Sequence, residues 1–331
     1  MKVFLLANRP EQTTRLNLMR QSLETLGYSV CVPRFSSHNW STISREARTQ
    51  IEKERPDILH LFNVPDVIYS GFPKLKGTSY NSLIYDYRSP WGIELQLNIG
   101  LPGKMAGEFY ESKLARSADA ITTVNRPLHQ KVFQYLKGHR KEITVIPNYP
   151  LRAFTERKSP NKTVDSTAPI IFIGRIAAQE GAGLLAKVVR DNPHREFWIV
   201  GDGPFCWWYR RRMGKNASFL GWQPHEKIAG FIERAGICII PRKENALTPY
   251  STDKSIWKLN EYLNLGKLVI ASGITQEEKR KNLVIVRSRD LSRSIRDNLD
   301  MKPLSMQEGD YRFWEDNLGT IRAVYENLQK A

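Results

Sequence analysis

Cysteine is scarce in this sequence: Cys31, Cys206 and Cys238 are the only three among 331 residues. Their number is odd and their spacing matches no metal site. A disulfide scaffold and a cysteine-ligated metal fold are therefore excluded, and buried, reduced thiols in a cytoplasmic protein are expected. Long apolar runs are missing as well. No stretch approaches the ~20 residues that span a bilayer. The apolar Met1–Ala7 stops at Asn8-Arg9-Pro10-Glu11 with no small-residue cleavage site, so it reads as a buried first strand rather than a signal peptide. Internal repeats and low-complexity segments are also lacking. Acid is in deficit, with 34 Asp and Glu against 50 Lys and Arg, a net charge of +16. Such a balance attracts nucleic acid, an anionic membrane or a phosphorylated small molecule.

What is present is ordinary globular material, 41% hydrophobic and 25% charged, in a chain too long for one core of usual size. Short apolar runs alternate with helix-like segments. In the N-terminal half the strand candidates are residues 3–7, 29–33, 58–62, 83–85, 120–124 and 143–146. Between the first two, Leu16, Met19, Leu23 and Leu26 recur at helical spacing and Gly27 ends the helix. Residues 151–168 are polar, without periodicity, and read as a linker. Six further strand candidates follow at 170–173, 196–200, 218–220, 237–240, 268–271 and 284–286, and an amphipathic helix is expected near 311–328. This is the rhythm of two α/β domains with parallel sheets covered on both faces, facing a cleft lined by strand ends and helix N-termini.

The C-terminal half carries the chemistry. Ile171-Phe172-Ile173-Gly174-Arg175 is a strand ending in Gly-Arg, where an arginine can hold a diphosphate in bidentate fashion. Val200-Gly201-Asp202-Gly203-Pro204 is a strand and tight turn, with proline suited to a first helical turn. Phe219-Leu220-Gly221-Trp222 and Ile239-Ile240-Pro241 are further strand ends. Asp253 and Glu261 are separated by seven residues across a predicted helix start, about 12 Å along the axis. Backbone N–H groups near Ser255 and Ile256 are expected to face phosphate oxygens at the positive helix end. Asp253 as a plain N-cap and Glu261 as a solvated helix residue is the structural alternative.

Taken in order, Gly-Arg, Val-Gly-Asp-Gly-Pro, Phe-Leu-Gly-Trp, Ile-Ile-Pro and acid-seven-acid followed by Leu265-Gly266-Lys267 resemble family 4 of the retaining glycosyltransferases, the glycogen-synthase-like and mannosyltransferase-like group. The resemblance is strong from about Ile170 to Ser272. It implies the GT-B architecture: two Rossmann-like doubly wound domains facing a cleft, at 1–155 for acceptor and 165–308 for donor, with 309–331 returning to the first. It also implies a nucleotide-sugar donor, a UDP- or GDP-sugar, held by Gly174, Arg175, Gly201, Gly203, Trp222, Lys254, Ser255, Lys258 and Glu261. Arg175 would clamp the diphosphate, Glu261 the ribose, Gly221-Trp222-Gln223 the base, and Asp253 would approach the transferred sugar. The family's second clamp, a lysine before glycine, is replaced by Glu180-Gly181; Lys254 and Lys258 are the candidates to compensate.

In the N-terminal half the resemblance thins. Pro56-Asp57-Ile58-Leu59-His60 matches a family strand, with His60 either at the cleft or satisfied internally. After Leu83-Ile84-Tyr85, Asp86 is a catalytic candidate that orients an acceptor hydroxyl, or else stabilises its loop. Basic residues Lys104, Lys113, Arg116, Lys131, Lys137, Arg140 and Lys141, together with Trp207-Trp208-Tyr209-Arg210-Arg211-Arg212, suit an anionic membrane surface. Nucleic acid is supported by charge alone and is not expected as a partner. Without an Asp-x-Asp cluster no metal is expected, and no cofactor beyond the donor. The expected protein is cytoplasmic, peripheral at the inner face of the plasma membrane, and transfers sugar to a glycan or lipid-linked acceptor. The alternatives are a sugar-nucleotide epimerase of the same architecture and a catalytically weakened sugar-nucleotide-binding relative.

Overall fold

The computed structural model describes residues 1–156 and 167–330. They form two compact units, Met1–Asn148 with Trp314–Ala331, and Tyr149–Phe313. The first contains β1 (Lys2–Leu6), α1 (Thr14–Thr25), β2 (Ser29–Cys31), α2 (Trp40–Glu54), β3 (Ile58–Phe62), β4 (Ser82–Tyr87), α3 (Trp91–Ile99), α4 (Leu101–Ser117), β5 (Ala120–Thr123), α5 (Arg126–Leu136) and β6 (Glu142–Val145). The second contains α6 (Arg152–Glu156), β7 (Ile170–Ile173), α7 (Ala182–Asp191), β8 (Phe197–Val200), α8 (Cys206–Arg212), β9 (Ala217–Gly221), α9 (His225–Arg234), β10 (Ile237–Pro241), α10 (Trp257–Asn264), β11 (Leu268–Ser272), β12 (Leu283–Val286) and α11 (Leu291–Asp297). The chain ends in α12 (Leu318–Lys330), which belongs to the first unit.

All twelve strand candidates are strands, shifted at most by a residue or two at their ends. Two expectations need correction. The final helix starts only at Leu318, because Glu308–Asp310 and Trp314–Asn317 are 3₁₀ turns. In the expected linker, Arg152–Glu156 is a short helix that buries Phe154, and residues 157–166 lie outside the described residues. The cysteines are all free, but only Cys238 is buried; Cys31 and Cys206 are half-buried.

Every ladder in both sheets is parallel. The first sheet has the order β2-β1-β3-β4-β5-β6 and the second β12-β11-β10-β7-β8-β9. A parallel sheet needs crossover helices, and these bury both faces. The second unit shows this residue by residue. Ile170, Phe172, Ile237 and Ile239 enter one core with α7 and α11, while Ile171, Cys238 and Ile240 enter the other with α9 and α10. Alternate side chains of one strand feed opposite cores, so these strands read as unbroken apolar runs.

The first unit is tied together by a buried ion pair. Arg15 of α1 donates from Nε to Asp86 Oδ2 at 2.7 Å and from Nη2 to Oδ1 at 3.0 Å. Thr122 Oγ1 donates to the same carboxylate at 2.8 Å. Arg15 also donates to the Ile146 carbonyl and to Asn148 Oδ1, and its guanidinium lies over the Trp314 ring. Trp314 in turn donates to Ser22 Oγ at 2.8 Å. Burial raises the Asp86 carboxyl, but the Arg15 charge and hydrogen bonds bring it below its ordinary value. Asp86 is wholly buried with both oxygens engaged. The expectation that it orients an acceptor hydroxyl is therefore corrected: its place is in the core, and its work is to join α1 to β4 and β5.

His60 is likewise internal. Its Nδ1 lies 2.5 Å from the Tyr325 hydroxyl of α12, and burial lowers its pKa from 6.5 to about 4.

Two outcomes are expected. Asp86→Ala leaves Arg15 buried without its counter-charge and destabilises the chain by about 3–5 kcal/mol in urea unfolding, whereas an Arg15→Met/Asp86→Leu pair loses less. Because folded His60 binds its proton only near pH 4 and unfolded His60 near 6.5, stability drops as pH falls from about 6.5 towards 4, and His60→Gln flattens that slope.

Candidate functional site

Strand order locates the site before any side chain does. From β7 the chain runs outward through β8 to β9; from β10 it runs the opposite way through β11 to β12. β7 and β10 are neighbours, so their carboxyl ends flank the point where the winding reverses, which is where open α/β sheets bind ligands. Gly174 and Arg175 follow β7 there, and Arg242 follows β10.

Three side chains converge at this point. Arg242 Nη2 donates to both oxygens of Glu180, at 2.8 and 3.0 Å. Lys258 of α10 donates to Glu180 Oε2 at 2.9 Å, with its ammonium 4.8 Å from the centre of the Phe172 ring. A Cβ on Gly174 would lie 2.9 Å from that ammonium, so the lysine passes directly over the end of β7. Glu180 reaches Arg242 because the next residue is Gly181. Its φ is 85°, and a Cβ there would stand 1.7 Å from the Pro241 carbonyl oxygen. Burial raises the Glu180 carboxyl, but Lys258 and Arg242 pull it down to about 2. Burial also lowers the Lys258 ammonium, an effect that Glu180 opposes. The three side chains remain 14–27% exposed, so the triad faces partly outward. Arg175 beside it is exposed, and its side chain has no hydrogen bond or ion pair among the described residues.

The other expected residues divide. Gly201 and Gly203 are demanded by packing: a Cβ on Gly201 would lie 2.0 Å from the Gly174 carbonyl oxygen, and one on Gly203 2.3 Å from that of Ile176. They let the ends of β7 and β8 touch. Glu261, mostly buried, lies 2.8 Å from His225 Nε2, and His225 stacks on Phe154. Trp222 is 73% exposed. Lys258 joins the triad, whereas Lys254 faces Glu277 at 3.9 Å. Asp253 is wholly buried. Its Oδ1 accepts from the Glu277 N–H at 2.7 Å, its Oδ2 has no partner among the described residues, and burial raises its carboxyl. It is neither an N-cap nor open to a sugar. α10 starts at Trp257, later than expected, because the Ser255 N–H is committed to the Thr252 carbonyl at 3.0 Å. A phosphate-facing role for that Ser255 N–H is thereby corrected.

Sequence reasoning missed Arg242, His225 and the use of Glu180 as a holder of cations. A signal existed for the first: Arg242 directly follows the apolar strand and proline, as Arg175 follows strand and glycine. Among the described residues no group of three or more His, Cys, Asp or Glu is placed to hold a metal ion.

Residues 168–300 match the family model described as Glycosyl transferases group 1. Structures with the same fold include a sucrose-phosphate synthase from Thermosynechococcus elongatus, at TM-score 0.74 and 14% identity over 99% of both chains. Family match and fold together support a GT-B glycosyltransferase. Anabaena HepE in complex with UDP superposes at TM-score 0.67 and 13% identity over 100% of both chains. A UDP-N-acetylglucosamine 2-epimerase from Listeria monocytogenes, so described provisionally, superposes at 0.59 and 11% over 98% of this chain and 96% of its own. At such identities these likenesses establish fold. No curated protein matches the chain in sequence.

Substituting Gly181→Ala forces a side chain into left-handed backbone against the Pro241 carbonyl. A loss of roughly 2–4 kcal/mol in chemical unfolding is expected.

Proposed function

We propose that this chain is a retaining glycosyltransferase of the family-4 kind. It transfers a sugar from a UDP- or GDP-sugar to a hydroxyl of a glycan or lipid-linked acceptor, at the cytoplasmic face of a membrane. The observation that carries the reading is the set of cations at the ends of two adjacent strands, Arg175 after β7 and Arg242 after β10, with Lys258 above them. These groups stand at the ligand-binding edge of a segment that matches a glycosyltransferase family. When the bond between sugar and diphosphate breaks, negative charge builds on the phosphate. Fixed cations stabilise that charge more than they stabilise the intact donor, and this difference lowers the barrier.

Glu261 suits the ribose, its second oxygen remaining beside the His225 contact. Trp222 offers an open aromatic face to the base. With Asp253 buried, no carboxylate is assigned as nucleophile. The acceptor hydroxyl attacks from the face on which the phosphate leaves, so configuration is retained. The phosphate itself takes the proton.

Calorimetry with UDP, GDP and ADP tests the donor site. One of them is expected to bind, and Arg175→Ala and Lys258→Ala each weaken it about 10–100-fold, the loss of one charge-assisted hydrogen bond. Absence of binding by all three sinks the reading. The epimerase fold neighbour supplies a second reading. A transferase releases nucleoside diphosphate when acceptor is added, and an epimerase isomerises the donor alone.

A further inference from the structure

Most of the exposed large apolar side chains of the first unit gather on one helical hairpin. α3 and α4 meet through Gly100 alone. The two helices are packed unusually close: a Cβ on Gly107 would lie 2.5 Å from the Gly92 Cα. Small residues therefore occupy the seam, and the large apolar ones are displaced to the outside. Leu97, Ile99, Leu101, Met105 and Phe109 are 49%, 64%, 62%, 66% and 63% exposed. So many exposed large apolar side chains on one pair of helices are not expected on a surface that meets only water.

Its charges have one sign. From Leu97 to Gly107 the only charged residue is Lys104. Further along α4, half-buried Lys113 and exposed Arg116 follow. Of the two acids of this helix, one is part-exposed but neutralised by a lysine, and the other is buried. Glu108 is paired with Lys131 at 2.9 Å, and Glu111 is buried, accepts from the Tyr135 hydroxyl, and has its carboxyl raised to about 7 by burial. An apolar tip fringed by cations complements a surface that is apolar within and anionic outside, and the chain's charge of +16 adds long-range attraction. A second copy of this chain would instead bring like charges together around the same tip.

We propose that the α3–α4 hairpin tip docks this chain on an anionic lipid bilayer. Leu97, Ile99, Leu101, Met105 and Phe109 enter the boundary between headgroups and acyl chains, and Lys104, Lys113 and Arg116 meet lipid phosphates. Among the described residues no helix is long and apolar enough to cross a membrane, and docking of this kind needs none. The proposal deepens the membrane part of the function above and does not depend on which sugar moves.

The test is co-sedimentation of the full chain with vesicles of phosphatidylcholine, and with vesicles of phosphatidylcholine and phosphatidylglycerol in equal parts. The wild type is expected to pellet with the anionic vesicles. A Leu101→Glu/Met105→Glu variant, altered only at exposed positions, is expected to lose roughly tenfold or more in partitioning while keeping its unfolding curve. Three results would overturn the proposal. One is no binding to anionic vesicles. Another is binding that the variant retains and Trp207→Ala/Trp208→Ala abolishes, which moves the contact to α8. The third is a concentration-dependent dimer that the variant dissolves, without vesicle binding by the wild type. Nucleoside diphosphate binding, measured on the same samples, reports separately on the glycosyltransferase reading.

Discussion

Two cations held side by side repel each other, and burial makes each one harder to keep charged. Glu180 resolves this at the end of β7. Its carboxylate accepts from Arg242 and Lys258 together, favours the protonated lysine against desolvation, and holds both side chains where the sheet reverses its winding. A lysine at position 180 would add a third cation; this chain has a carboxylate there and brings its cations from β10 and α10. The net charge of the triad is still positive, with exposed Arg175 added beside it. The arrangement depends on Gly181, since any side chain at that position would push Glu180 away from Pro241 and the arginine after it.

The first unit uses the same device for a different end. Arg15 and Asp86 form a carboxylate–guanidinium pair at the carboxyl end of β4, as Glu180 and Arg242 do at the end of β10. The difference is access. Arg15 and Asp86 are 1% and 0% exposed in their side chains and both carboxylate oxygens are engaged, so the pair is closed. Arg242 and Glu180 are 21% and 27% exposed, so that pair is open to solvent. Chemistry alone does not separate a core tie from a binding site; the number of open hydrogen-bonding positions and the presence of solvent do. Asp86 looked catalytic because it ends a strand, and strand ends are where both kinds of pair occur.

Partly outward cations and engaged acids recur on the α3–α4 hairpin, where large apolar residues face solvent instead of the core. In both places acidic side chains are engaged by neighbours, Glu180 by its cations and Glu111 by the Tyr135 hydroxyl. An excess of basic residues in composition thus becomes a set of located positive sites.

Much was legible in the sequence alone. Apolar runs such as Ile237–Ile240 determined the strands, because strands buried on both faces of a parallel sheet are apolar at most positions, save where a polar side chain such as Asp86 is paired internally. Glycine and proline at the strand ends marked the turns, and the order of the motifs with the Asp253–Glu261 spacing gave the expectation of a donor site. Tertiary structure alone decided which charges meet. Glu180 and Arg242 stand 62 residues apart in sequence, and only the adjacency of β7 and β10 brings them together. Asp253 read either as the acid approaching the transferred sugar or as a plain N-cap, but the Thr252 carbonyl takes the Ser255 N–H, α10 starts later, and the carboxylate turns inward to Glu277. Local periodicity reports whether a residue is buried, since the hydration change on burial is set residue by residue; it does not report partners, because pairing depends on strand order and loop closure over tens of residues.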